Sequence, residues 1–164
     1  MSSQTADGSM DSGRRWNVLV GFMLLSFAAA AIGSQFSPGE WYRSLQRPDL
    51  APPNWVFGPV WTVLYLMMAV SGWVMWISST GTARRLCTAV FVAQLCLNAA
   101  WSALFFGLHR PDWAFFEIVV LWLAIVATIV LFRRESTAAA WLLVPYLAWV
   151  SFAAFLNYGF WTLN

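Results

Sequence analysis

Read from its N-terminus, the chain alternates between long apolar runs and short polar interruptions. Positions 1–13, MSSQTADGSMDSG, are small and polar and offer nothing to bury, which predicts a disordered tail. Five runs with few or no charges follow, at residues 16–36, 54–78, 86–108, 113–132 and 138–161. Each reaches the roughly 20 residues that cross about 30 Å of hydrocarbon at 1.5 Å per residue. None shows the strict alternation of a membrane barrel strand. The pattern predicts an all-α integral membrane bundle of five transmembrane helices, forming one domain over 14–164. The first run also has features of a signal peptide, with Arg14-Arg15, an apolar stretch and then FAAAAIGS. It is longer than the usual 7–15 residues, and Ser26/Ala30 and Ala29/Gly33 give it a small-residue packing face, so it reads as the first helix.

Composition agrees with this reading. The chain is 60% hydrophobic and 10% charged, against about 25% charged for an ordinary soluble domain. All nine basic residues are Arg and they are scattered, which excludes a nucleic-acid surface. Glycine-rich phosphate loops and zinc-ligand spacings are absent, so no metal site is expected. Arg14, Arg15, Arg84, Arg85, Arg133 and Arg134 fall on one side of the five spans, and Arg43, Arg47 and Arg110 on the other. The bias places the N-terminus in the cytoplasm and the C-terminus on the opposite side. Cys87 and Cys96 read as buried, inert thiols. His109, beside Arg110-Pro111, reads as a surface-loop histidine in preference to a haem ligand.

Chemistry gathers at the end opposite the arginine-rich connections. The loop over 37–53 contains Trp41-Tyr42 and three prolines, Pro48, Pro52 and Pro53. Prolines reduce the entropy lost on ordering and aromatics give the loop something to bury, so it reads as a lid. Asn54 offers an N-cap, Pro59 falls in the first turn of the second helix, and Gly58 permits close approach of a backbone or a flat ligand. Trp61 lies about 9 Å below that helix start, too deep for an interfacial anchor. Trp101 lies about 10 Å deep on the third helix, and Asn98 and Gln94 continue inward on its face. On the fifth helix Ala153 and Trp149 sit about 12 and 18 Å below Trp161, and Pro145 allows a bend. These positions suggest a cavity with aromatic walls and an amide floor, suited to a flat, hydrophobic, partly polar ligand. Gln94 and Asn98 serve equally well as polar glue between helices. Further along the third helix, Cys87, Phe91, Gln94, Asn98, Trp101 and Phe105 form one seam. Ala89, Ala93, Ala100 and Ala103 form the opposite, small-residue flank.

Three stretches, WYRSLQRPDLAPPNWVFGPVWTVLY, AQLCLNAAWSALFFG and VPYLAWVSFAAFLNYGFW, together resemble the TspO/MBR family, the translocator proteins once called peripheral-type benzodiazepine receptors. The likeness covers residues 16–162. It implies five transmembrane helices, a homodimer through the third, and binding of protoporphyrin IX, haem or other tetrapyrroles as ligands, with no obligatory cofactor. Some members bind sterols and benzodiazepine-type ligands, and some bacterial members degrade protoporphyrin in light. By motif the light-dependent tryptophans fall on Trp61 and Trp149. Ligand-lining positions fall on Trp41, Tyr42, Pro52, Trp61, Asn98, Trp101, Trp149 and Ala153. The chain departs from the family where Leu50 replaces an aromatic lid residue, and where Thr162 follows Tyr158 in place of the arginine of the sterol motif.

Three functions stay open on the sequence. The first is a tetrapyrrole-binding sensor, regulator or transporter. The second is a light- and oxygen-dependent porphyrin-degrading enzyme. The third is a membrane protein acting mainly through protein partners.

Overall fold

A computed structural model describes residues 4–36 and 38–164, with side chains from Ser12 onward. The helices are α1 Gln4–Ser34, α2 Glu40–Ser44, α3 Phe57–Ser78, α4 Gly81–Ser102, α5 Pro111–Glu135, α6 Thr137–Leu142 and α7 Val144–Leu163. A 3-10 turn over Asn54–Val56 leads into α3, and a π-helical turn over Ala103–Gly107 extends α4. Five spans are long and apolar enough to cross a membrane: Ser12–Ser34, Asn54–Ser78, Gly81–Gly107, Pro111–Glu135 and Thr137–Leu163. The all-α, five-span architecture is the predicted one, and no strand occurs among the described residues.

Most of the segment read as a disordered tail is helical, because α1 begins at Gln4; residues 1–3 lie outside the described residues. Once the apolar span is helical, each added residue gains a hydrogen bond without a new nucleus. Asn54 is not an N-cap. It opens the 3-10 turn, and no side-chain cap bond forms at the start of either helical piece.

The third span also starts earlier than expected, at Gly81, and takes Arg84 and Arg85 into its first turns. Arg84 bends back so that its guanidinium lies 4.8 Å from the Trp76 ring and donates to the Ser79 carbonyl, while its aliphatic stem covers apolar surface. In the fifth span Pro145 gives a break rather than a gentle bend. The α6 piece ends at Leu142 and α7 restarts at Val144, with the Leu143 N–H donating to the Ala140 carbonyl at 3.1 Å.

The short connections make neighbouring spans antiparallel. Around the bundle the order is α1, α3, α6/α7, α5, α4 and back to α1. Phe22, Met68, Phe91, Phe132 and Tyr146 fill the half nearer the arginine-rich connections. Tyr42, Phe105, Ala114 and Phe160 form a smaller cluster under the loop. Lipid tails are as apolar as these side chains, so close packing and interhelical hydrogen bonds hold the bundle together. Phe22 meets Gly72 so closely that a Cβ there would lie 2.4 Å from the ring. Ser71 donates to the Ala139 carbonyl at 2.7 Å, and the Trp122 indole donates to Ser151 at 2.8 Å.

Candidate ligand cavity

Helical periodicity on four spans directs aromatic and amide side chains toward one space beneath the loop. The cavity there measures about 650 Å³. Trp61 and Tyr65 enter from α3, one turn apart, with ring centroids 5.5 Å from each other. Asn98 and Trp101 come from α4, and Trp149, Ala153 and Asn157 from α7. The π turn brings Phe105 and Phe106 in together, with centroids 4.9 Å apart. An α-helical turn would hold one residue fewer and rotate one of the two away. The wide turn closes through the Leu108 N–H donating to the Ala103 carbonyl at 2.8 Å.

Two hydrogen-bond chains fix the polar part of the wall. The Tyr65 hydroxyl donates to Asn98 Oδ1 at 2.5 Å, and Asn98 Nδ2 donates to the Tyr146 hydroxyl at 3.1 Å. The Trp101 indole donates to Asn157 Oδ1 at 2.9 Å, and Asn157 Nδ2 donates to the Pro111 carbonyl at 2.7 Å. Each amide is thus held by bonds to two neighbouring helices, which pairs both its oxygen and its nitrogen. The Trp149 indole N–H is buried without a partner among the described residues.

The loop forms the roof. Tyr42 is buried against Phe105, Phe106 and Phe160, with ring centroids 5.4–6.3 Å away. Burial raises the Tyr42 phenol above its ordinary range and the nearby Arg47 charge pulls the other way, so the hydroxyl stays protonated. Arg47 donates to the Pro52 carbonyl at 2.8 Å and braces the proline turn. Pro48 sits over Gly159, where a Cβ would come within 2.7 Å of its ring. The Gln46 N–H donates to Asn164 Oδ1 at 2.9 Å and Asn164 Nδ2 returns a bond to the Gln46 carbonyl at 3.2 Å, latching the loop to the end of α7.

Of the residues singled out in the sequence, Tyr42, Trp61, Asn98, Trp101, Trp149 and Ala153 line the cavity. Trp41, Pro52 and Gln94 do not. Trp41 is turned onto His109, stacked at 4.3 Å, and His109 adopts φ 55°, a left-handed conformation that histidine visits more readily than most residues. Pro52 contributes its carbonyl to Arg47 outside the wall. Gln94 lies one turn further in than Asn98, beneath the Tyr65–Asn98–Tyr146 floor, with Nε2 4.0 Å from Met68 Sδ. Cys87 is buried as expected, but Cys96 faces outward, beyond the edge of the buried seam.

Tyr65 and Asn157 were missed, although Tyr65 follows Trp61 by four positions and Asn157 follows Ala153 by four. Continuing those faces by one turn finds both. The α1 contribution, including Phe27, Ala31 and Ser34, was hidden because small residues there read as a packing face.

Among the described residues no Asp, Glu, His, Lys or Arg lines the cavity, and the wall offers aromatic rings, indoles, phenols and amides. Glu117, a carboxylate in the interior of the fourth span, precedes the wall residue Ile118, and both its oxygens are buried without a partner among the described residues. No group of His, Cys, Asp or Glu suited to holding a metal ion occurs among the described residues.

Comparison with known proteins agrees with this architecture. The model of the TspO/MBR family matches residues 20–162. The chain is 38% identical to the translocator protein of Ovis aries over 154 residues, covering 91% of each. It is 42% identical to the tryptophan-rich protein TspO of Chlorobaculum tepidum, covering 85% of this chain and 91% of that one. The tryptophan-rich sensory protein of Cereibacter sphaeroides is 36% identical, over 91% of this chain and 92% of its own. From its five membrane spans, its sequence motifs and these matches, the chain is a multi-pass membrane protein belonging to the TspO/MBR family.

Proposed function

We propose that this protein binds tetrapyrroles of the protoporphyrin IX or haem type reversibly in the cavity under the loop, and acts through that binding as a sensor, regulator or transporter. The observation that carries this reading is the cavity itself. Its volume of about 650 Å³ lies within the roughly 300–1,000 Å³ of small-molecule sites. Its walls carry the rings of Trp61, Trp101 and Trp149 for a flat ring system to pack on, and the unpartnered Trp149 indole N–H for a polar edge. Relatives named for translocation and for sensing support the same pair of roles here. Absorbance titration of the purified protein with protoporphyrin IX in the dark tests it. Saturable binding with quenching of tryptophan fluorescence is the expected outcome, and unquenched tryptophans with no saturable spectral change would refute it.

A second reading, light- and oxygen-dependent porphyrin degradation, draws support from Trp149. Its unpartnered indole and that of Trp61 place two oxidisable rings on the wall. Product formation that needs both illumination and dioxygen separates this reading from plain binding. Sterols and benzodiazepine-type molecules are further candidate ligands for the same apolar space, with Thr162 in place of the motif arginine weighing against tight sterol binding. For the assembly we propose a homodimer through the exposed Ala89, Ala93 and Ala100 face of α4, with the N-terminus in the cytoplasm.

A further inference from the structure

The cavity wall is not uniformly buried. Its exposed members are Phe27, Ala31 and Ser34 on α1 and Gly58 and Thr62 on α3, with Pro38 and Asn54 above them. Wall residues from α4, the π turn, α5 and α7 are all buried or half-buried. The opening is therefore a slot between α1 and α3.

The course of α1 explains the slot. At mid-span α1 is locked onto α3, with Phe22 pressed against Gly72. At the loop end α1 leans on the third span instead. A Cβ on Gly33 would lie 3.2 Å from Ser102 Oγ, and one on Gly107 would lie 2.7 Å from the Phe36 ring. Between these anchors wall residues of both helices, Phe27 and Ala31 on α1 and Gly58 and Thr62 on α3, stand exposed. Phe27 and Tyr65, with ring centroids 6.3 Å apart, close the bottom of the gap.

The slot lies within the depth of the bilayer. Phe27 is about 10 Å from the Ser34 end of its span, and Thr62 is about 12 Å from the Asn54 end of its own. Thr62 turns its hydroxyl back to the Gly58 carbonyl at 2.9 Å, which leaves the edge of the slot compatible with hydrocarbon. The loop, in contrast, is fastened on the far side by the Gln46–Asn164 bonds and the Pro48–Gly159 contact.

We infer that the cavity is loaded sideways from the membrane: a flat amphiphile dissolved in the loop-side leaflet passes between α1 and α3 while the loop stays latched. The route rests on the tetrapyrrole-binding reading above. It requires a ligand whose apolar face partitions into lipid, a class to which protoporphyrin belongs.

Cross-linking in lipid nanodiscs tests the route, in a background with Cys87→Ala and Cys96→Ala. Ala31→Cys/Thr62→Cys spans the slot and Gln46→Cys/Asn164→Cys spans the latch, each joined by bifunctional thiol reagents of graded length. Protoporphyrin association and dissociation are followed by tryptophan quenching. Linking the slot should slow association at least about tenfold, and linking it after loading should slow release similarly, while linking the latch changes both by less than about twofold. Where the slot pair does not fold, Ala31→Trp, a plug at the same place, supplies the same comparison with the latch. Slowing by the latch link, alone or with the slot link, overturns the route, as does unchanged association with the slot closed. Absence of quenching in the unlinked protein removes the binding reading itself, and the route with it.

Discussion

Asn98 shows how a single side chain can serve both the fold and the cavity. Its amide accepts from Tyr65 and donates to Tyr146, so Asn98→Leu leaves two tyrosine hydroxyls without their partner. We expect that variant to lose about 1–3 kcal/mol of stability and to bind protoporphyrin more weakly, read by thermal melting and titration together. Gly58→Leu should separate the two effects. A Cβ at Gly58 meets nothing within 4 Å, so a side chain can start there without a clash, on a residue that lines the cavity beside the slot. Melting should stay within about 0.5 kcal/mol of the parent while binding weakens. Trp61→Phe keeps a ring on the wall and should retain binding, but any photochemical turnover should fall sharply with loss of the more oxidisable indole. Most of these residues were legible in the sequence, because depth along a helix follows from counting turns. What could not be read was which amides spend their hydrogen bonds on one another. Asn98 and Gln94 look alike in sequence, yet only Asn98 reaches the cavity, because the two tyrosines that define its floor lie on other helices.

Among the elements, the five spans were plain from their apolar length, and a bend at Pro145 from the missing N–H, though not the full break between Leu142 and Val144. The π turn was not, since nothing in ALFFG distinguishes it from an α turn. Its wide turn is held by tertiary contacts, with Phe36 over Gly107 and Phe105 against Tyr42, Trp41 and Phe160. The course of α1 escaped for the same reason, since only close contact at particular glycines decides which neighbour a helix meets at each end. Gly72→Ala tests the lower anchor. With the new methyl 2.4 Å from the Phe22 ring, the ring or the helix that carries it must shift, and stability should fall by about 1–3 kcal/mol. Adding Phe22→Leu should restore part of the loss in a double-mutant cycle measured by thermal unfolding.

At the scale of the whole molecule, the outward face of α4 offers Ala89, Ala93 and Ala100, small enough for a second copy to approach closely. Cysteines at Ala93 and Ala100 should cross-link into dimers in bilayers; monomers alone, across several detergents and in lipid, would count against that pairing. A reporter fused after Asn164 should be active on the non-cytoplasmic side, and cytoplasmic activity would show the arginine bias to have been misread. The anchoring of α1 has a mechanical consequence as well. Pinned by Phe22 at mid-span and by Gly33 and Phe36 at the loop end, α1 behaves between those points as a clamped beam that turns Phe27 and Ala31 toward the acyl chains. Widening the gap then means bowing that beam against the lateral pressure of the surrounding lipid. On the proposed lateral route, the speed of ligand exchange becomes a property of the membrane as well as of the protein, and should be faster in loosely packed, unsaturated bilayers than in ordered ones.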